Sequence, residues 1–283
     1  MPISFDLDAS NAVFSLPDIT GKYDAQFGAY LRKLGALRPL VMFAFPPKAA
    51  GTFLRTAAVE AVDGQLMRMT HAQGGRDATP YLPTFILYFA GGFPASTLVT
   101  HLHMQALPAN RFLMEAFDLK PVIMLRDVAD MLTSYWDMLD RDQSSDNWLN
   151  CQLPANFTTM DNEAKADFMI DMLGPWYASY FATWLSYAEE APDRVCVLRY
   201  PDFTRDPAGA LQTALRHSRI ERSREECQRA IDVTWQERKQ HRFNKGLMGR
   251  GQYRFKPHHM ERLERMLFRH YGLAQFRDEL LPC

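Results

Sequence analysis

The sequence predicts an α/β fold: a single domain, residues 1–283, whose central, mostly parallel sheet is flanked by helices. Three observations lead there. Short runs that are apolar throughout recur along the chain, at Leu40 to Phe45, Thr97 to Leu102, Val122 to Leu125 and Val195 to Leu198. Such runs suit parallel strands buried on both faces, whereas strict alternation would suit half-exposed ones. Stretches with apolar residues at helical intervals lie between them, the order produced when helices cover both faces of a parallel sheet. Finally, 283 residues with 47% hydrophobic and 12% aromatic content are enough to fill one large core.

Residues 1–38 read as an N-terminal extension. The first strand stops at Pro46-Pro47, and TFLRTAAVEAV from Thr52 has helical spacing, giving strand, loop and helix. After Arg126, DVADMLTSYWDMLDR is helical, with Asp127 placed to cap its start. Between Ser144 and Asn162 the chain turns polar and irregular, as in long loops that act as lids. Met169 to Glu190 is a second helical stretch carrying Trp176, Tyr177, Tyr180, Phe181 and Trp184, which at helical spacing read as core before substrate contacts. Together residues 144–190 form the expected substrate lid and helix. Residues 222–240 are charged and helical, Phe243 to Phe255 is a Gly- and Arg-rich loop, and Pro257 opens a terminal helix through Tyr271 that Gly272 stops.

Charge narrows the function classes. With 32 basic and 33 acidic residues the formal charge is −1, so nothing global points to nucleic acid or an anionic membrane surface. An anion site must be a local concentration of donors. Cys151, Cys196, Cys227 and Cys283 are scattered, without the spacing of a disulfide framework or zinc site. The N-terminus lacks a basic segment followed by an apolar core, and no apolar stretch is long enough to span a bilayer. A cytoplasmic protein without stable membrane insertion is expected; the oligomeric state is left open.

Local donors concentrate in two places. In FPPKAAGTFLR, the small residues Ala49, Ala50 and Gly51 let backbone amides approach a ligand just before a helix N-terminus, itself an anion site. Lys48 adds a full charge and Thr52 a hydroxyl. The lysine precedes the small residues, unlike GxxxxGK[ST], which occurs nowhere in the chain and whose absence disfavours a nucleotide triphosphatase. Taken alone, the segment is equally a generic βα turn with a solvated lysine. The second place is Arg126 at a strand's carboxyl end, where open α/β sheets bind ligands, with Ser134 two turns into the next helix. A guanidinium grips phosphate through two parallel bonds; the competing reading is an ion pair with Asp127 or Asp130.

These segments resemble the PAPS-dependent sulfotransferases, which use 3′-phosphoadenosine-5′-phosphosulfate (PAPS) as donor and release adenosine 3′,5′-bisphosphate (PAP). PKAAGTFLR is similar to their 5′-phosphosulfate loop, and PVIMLRDVADMLTSYW to their 3′-phosphate element with Arg and Ser eight positions apart. VTHLHM resembles K-T-H-L-P, which carries the catalytic histidine, and VCVLRYPDFTRDP the V-L-x-Y-E-D-x-x-x-x-P strand. DVTWQERKQ is similar to an adenine-stacking stretch, and FNKGLMGRGQYRF to the R-K-G-x-x-G-x-x-x-x-x-F loop. The resemblance runs from about residue 40 to 265, in order. It implies a P-loop NTPase-like arrangement and a set of roles. Lys48 would bond the phosphosulfate and its bridging oxygen, and Ala49, Ala50, Gly51 and Thr52 would cradle the 5′-phosphate. Phe53 takes the place of an adenine-stacking tryptophan; Tyr200 and Trp235 would flank the adenine. Arg126 and Ser134, joined by Lys245 and Gly246, would hold the 3′-phosphate. His101 would be the base.

Several positions depart from the pattern. Val99 stands for the lysine before T-H, Asn244 for the arginine of R-K-G, and Pro201 for the acidic residue after the tyrosine. Arg242 or Arg250 is the candidate replacement for the lost charge. His103, two residues after His101, shares its strand face and competes for the role of base. His258-His259 reads as a solvated helix start, and no metal site is expected.

The implied chemistry is in-line sulfuryl transfer. Charge builds on the leaving bridging oxygen, where Lys48 would stabilise it, while His101 would take the acceptor hydroxyl's proton, an effect worth roughly 10²–10⁴-fold. No metal is required for a group less charged than a phosphoryl. Acceptor specificity is expected from residues 1–35, 65–95 and 144–190, which contain Phe5, Phe14, Tyr81, Phe85, Tyr88, Phe89, Phe93, Trp148 and Phe157. This lining suits a small-molecule or lipid-like hydroxyl over a polyanionic glycan. The rival readings are a non-catalytic protein that binds PAPS or adenosine bisphosphate, and a nucleotide-dependent phosphotransferase.

Overall fold

The structure, a computed structural model, describes residues 16–71, 75, 79–90, 96–142, 153–236 and 248–282. In chain order the first half runs α1 (Leu16–Gly35), β1 (Leu40–Phe43), α2 (Gly51–Ala61), β2 (Gln65–Leu66), α3 (Leu82–Ala90), β3 (Leu98–His101), α4 (Pro108–Ala116), β4 (Pro121–Leu125) and α5 (Val128–Asp142). The second half runs α6 (Asn162–Phe168), α7 (Gly174–Glu190), β5 (Cys196–Arg199), α8 (Tyr200–Arg205), α9 (Pro207–His217), α10 (Arg224–Gln236), α11 (Gly251–Arg254), α12 (Pro257–Glu264) and α13 (Arg277–Leu280). A wide π-type turn at Met169–Leu173 precedes α7, and another at Arg265–His270 follows α12.

The five strands stand in the order β2-β3-β1-β4-β5 and every pairing is parallel. β1 pairs with β3 on one side (Phe43 opposite His101) and β4 on the other (Phe43 opposite Val122). β3, β1 and β4 are buried along their whole length, which is why their sequences are apolar throughout. The chain leaving β1 therefore emerges at the point where successive connections diverge to opposite sides, the crevice in which open α/β sheets hold ligands. The carboxyl ends of β3, β4 and β5 open onto the same edge.

The expected first strand was longer than the observed one. Pairing ends at Phe43, although Ala44 N–H still donates to Val122 O at 2.9 Å and both Ala44 and Phe45 are fully buried. Buried carbonyls leaving a sheet need other partners. Aromatic side chains of α7 supply them: the Tyr180 hydroxyl donates to Ala44 O, and the Tyr177 hydroxyl to Pro47 O at 3.1 Å. Tyr177, Tyr180, Phe181 and Trp184 are core, as their spacing predicts. Asp127 caps α5 as expected, its Oδ1 accepting from Ala129 N–H at 2.8 Å.

Other expectations need adjustment. β2 has two residues and no apolar signature, so nothing in the sequence announced it. Part of the 144–162 loop is ordered into a turn of 3₁₀-helix at Phe157–Thr159, with Asp161 capping α6; residues 143–152 lie outside the described residues. The terminal helix widens at Arg265 before Gly272 (φ 69) ends it. The N-terminal extension is in part a helix seated on the body. Leu31 and Leu34 are buried, and Gly35 lies so close to Phe117 that a methyl group there would overlap its carbonyl. Among the described residues no helix is long and apolar enough to cross a membrane.

Candidate active site

The turn from Phe45 to Gly51 carries its strain in the backbone. Lys48 (φ 65) and Ala50 (φ 62) both adopt the left-handed conformation. For residues with a Cβ this costs on the order of 1–2 kcal/mol each, and such conformations collect at ligand-binding turns. Left- and right-handed residues in succession point main-chain N–H groups into one concavity, the geometry that receives anions. Ala50 is the N-cap of α2 and supplies no capping side chain. Gly51 opens the helix because nothing larger fits: a methyl group there would overlap the His101 imidazole. β3 thus presses its terminal histidine directly against the turn.

The second element meets the first through a direct bond. The Arg126 guanidinium donates through Nη1 to the carbonyl oxygen of Lys48. It also lies flat over the Tyr200 ring, 3.9 Å from its centroid, a cation–π contact. Its guanidinium therefore goes to the turn and the tyrosine, not to an ion pair with Asp127 or Asp130. The Lys48 ammonium sits 3.7 Å from the thioether of Met138. Met138 follows Ser134 by four residues on α5, so the two share a helix face. Lys48 and Arg126 are joined directly, and Ser134 lies on the α5 face whose Met138 meets the Lys48 ammonium.

An aromatic series runs beside them. Phe53 lies 4.8 Å from Trp235 and 6.0 Å from Phe203, which in turn lies 5.8 Å from Tyr200. Three of the four were predicted. Phe203 was missed; its signal was its place three residues after Tyr200, on the helix that opens where β5 ends. Lys245 and Gly246, like Arg242 and Asn244, lie outside the described residues. Arg250, the other candidate replacement cation, ion-pairs with Asp137.

A cavity of about 320 Å³ opens beside Arg126 and Tyr200, with Met248 and Gly249 on its wall. Its acidic members, Asp127, Asp130, Asp202, Asp278 and Glu279, outnumber Arg126 and Arg199. The charge they carry is smaller than the count. Burial, reinforced by the neighbouring Asp130, pushes the Asp127 carboxyl up to about 7, while Arg199 pairs with Glu279 at 2.9 Å. Asp130 accepts two main-chain N–H groups, Gly249 at 2.8 Å and Gly251 at 2.8 Å. The sequence reading weighed Asp130 only as a partner for Arg126, because its real partners lie 119 and 121 residues away.

The two candidate bases touch. His101 and His103 meet edge to face with ring centroids 4.7 Å apart. His103 places Nδ1 2.8 Å from the Phe45 carbonyl, so that nitrogen carries the proton and donates. His101 is the histidine packed on the Lys48 turn at Gly51; His103 braces Phe45, just before it.

Among the described residues, ligand atoms of Glu163, His258 and His259 come within 4.8 Å of one another. The tautomer of His259 argues against a metal. Its Nδ1 accepts the Lys256 N–H at 3.2 Å, which leaves the ring proton on Nε2, facing Glu163 at 3.5 Å and Asp167 at 3.4 Å. A nitrogen that bears a proton offers no lone pair to a cation. The cluster is a polar clasp between α12 and α6, and His259 is buried in it, not solvated as its position at a helix start suggested.

A family model described as "Sulfotransferase domain" matches residues 94–268, more than half of the chain. The span includes His101, Arg126, Ser134, Tyr200 and Trp235 and excludes the Lys48 turn. No curated protein matches. Solved structures with a similar fold include mouse sulfotransferase SULT7A1 complexed with PAP (TM-score 0.60, 14% identity, 87% of this chain and 89% of that one). Retinol dehydratase in complex with androsterone and the inactive cofactor PAP is another (TM-score 0.56, 14% identity, 88% and 85%). At such identities they establish the shared fold. The family match, which runs through the ends of β3, β4 and β5, makes this chain a member of the sulfotransferase domain family.

Proposed function

We propose that the protein transfers a sulfuryl group from PAPS to the hydroxyl of a small-molecule or lipid-like acceptor, with His101 as base and Lys48 at the bridging oxygen. The observation that carries this reading is the bond from Arg126 to the Lys48 carbonyl. It brings the two proposed anion-binding elements together, as gripping the two ends of one doubly phosphorylated adenosine requires. The phosphates belong on the Lys48–Ser134 side of Arg126, away from the acidic rim. Trp235, the part-exposed end of the aromatic series, offers a flat face for the adenine. SULT7A1 and retinol dehydratase were both crystallised with PAP.

In this reading the α2 amides and the Lys48 ammonium hold the donor phosphate and stabilise charge on the leaving oxygen. His101, pressed on the same turn, takes the acceptor proton.

The acceptor lining is narrower than the sequence suggested. Phe85 and Phe89 pack on Phe117 at 5.4 and 5.2 Å, and Phe157 on Phe168 at 5.5 Å, so these rings belong to the core. Phe5, Phe14, Phe93 and Trp148 lie outside the described residues. Support for an apolar acceptor comes from retinol dehydratase, crystallised with androsterone and with retinol, both lipophilic alcohols.

Thermal-shift titration with PAP against ATP is the first test. Stabilisation of about 2.7 kcal/mol is expected with PAP at roughly 100 times its dissociation constant. Transfer of labelled sulfate to a panel of alcohols and phenols then tests the acceptor class. Turnover of ATP with Mg²⁺, without a response to PAP, would favour the phosphotransferase instead. PAP binding with no transfer in any assay would favour the non-catalytic binder.

A further inference from the structure

We infer that Asp130 is a positioning residue for nucleotide binding: its carboxylate fixes the Met248–Gly251 segment as a wall of the cavity beside Arg126 and Tyr200. The inference rests on the nucleotide reading above. Asp130 is buried in the first turn of α5, and its two oxygens each take one N–H, Oδ2 from Gly249 and Oδ1 from Gly251, both at 2.8 Å. Gly249 is left-handed (φ 77). Gly251 lies so close to α5 that a methyl group there would overlap Ala129 and the Asp130 backbone. Two glycines and one carboxylate thus hold the chain against the helix, Gly249 through its left-handed backbone and Gly251 through its close approach to α5.

The rest of the same helix face continues the attachment. Asp137 pairs with Arg250, and Asp140 lies 3.8 Å from Arg254, whose guanidinium stacks 3.8 Å over Trp136. Asp130 differs from these partners in location. Ser134 is one turn on from it, and Met248 and Gly249 line the cavity that Arg126 and Tyr200 also line. In sequence, Gly249 follows Gly246 by three residues. The carboxylate therefore ties the chain after Lys245-Gly246 to the helix that carries Ser134. A buried carboxylate one turn from Ser134 would otherwise oppose an anion held there; accepting two N–H groups spreads its charge into the main chain.

The test is calorimetric titration of PAP into the wild type, Asp130→Asn, Gly249→Ala and Asp137→Asn, with kcat and the KM for PAPS measured on each. Asp130→Asn keeps one acceptor oxygen and loses one charged hydrogen bond. It is expected to raise the Kd for PAP and the KM for PAPS by about tenfold, with kcat at saturating PAPS changed less than about threefold. Gly249→Ala strains the same wall with Asp130 untouched and should also raise the Kd, providing a second route should the Asp130 variant fold poorly. Asp137→Asn loosens only the distal attachment and should lower the Tm while leaving the Kd within about threefold. A folded Asp130→Asn variant that binds PAP as tightly as the wild type, its Tm alone reduced, would overturn the inference. A wild type that does not bind PAP would remove the nucleotide reading and this inference together, so the two failures are distinct.

Discussion

The two elements proposed to hold the donor's phosphates are built from different materials. At the Lys48 turn the donors are main-chain amides, held by left-handed residues 48 and 50 and by the contact between Gly51 and His101. At the end of β4 they are side chains, Arg126 and Ser134, surrounded by carboxylates of which one, Asp127, holds its proton to about pH 7. A turn made of backbone keeps its charge at any pH and resists alteration except where a larger side chain is forced in. A pocket made of side chains can be taken apart one group at a time and responds to pH. In the proposed function the chemistry falls to the first element, against which His101 is packed, and the second supplies grip.

Substitutions should separate these roles. The largest effect is expected at His101: replacement by Ala should lower kcat by roughly 10²–10⁴-fold with the Kd for PAP little changed. His103→Ala, measured in parallel, should retain most of the turnover; the reverse ranking would transfer the role of base to His103. Arg126→Ala removes charged hydrogen bonds from the second element. It should weaken PAP binding by about 10–100-fold while kcat at saturating donor falls much less, a split visible in steady-state kinetics. A fall confined to kcat would show that the two elements are not functionally distinct.

Two smaller effects bear on the materials themselves. Gly51→Ala drives a methyl group into the His101 ring, an overpacking that should cost about 1–3 kcal/mol in denaturant unfolding and reduce turnover by displacing the base. The last is a pH effect from Asp127. Its raised value means that the folded protein keeps a proton which the unfolded chain releases above about pH 4. The associated stability is complete below that pH and declines as pH climbs through about 7. Between pH 5.5 and 8.5 the wild type should lose on the order of 1 kcal/mol relative to Asp127→Asn, with partial solvation limiting the size. The comparison with the Asn variant isolates this group from His217 and His259, whose burial lowers their values and acts in the opposite direction. PAP affinity should weaken over the same interval in the wild type and stay flatter in the variant.

What the sequence settled by itself is what short stretches of chain can settle. The central strands are apolar throughout because both faces are covered, and that pattern needs no partner to be legible. Asp127 caps α5 by bonding an amide two residues away, and Lys48, the small residues and Gly51 are consecutive. Each of these signals lies within a few residues of what it specifies. The boundaries were less secure: β1 ended two residues early because side chains of α7 satisfy the carbonyls that a continuing strand would have paired.

Only the tertiary structure decided which distant pieces meet. Phe85, Phe89 and Phe157 carry the same hydrophobicity whether they line a pocket or fill a core, and packing on Phe117 and Phe168 chose the core. Asp130 reads as one more carboxylate on a helix until Gly249 and Gly251, more than a hundred residues later, are brought to its two oxygens. Periodicity and capping are local energies, written into neighbouring residues. Juxtaposition depends on the order in which strands join the sheet and on how closely helices close over it, and that is set by the packing of the whole chain.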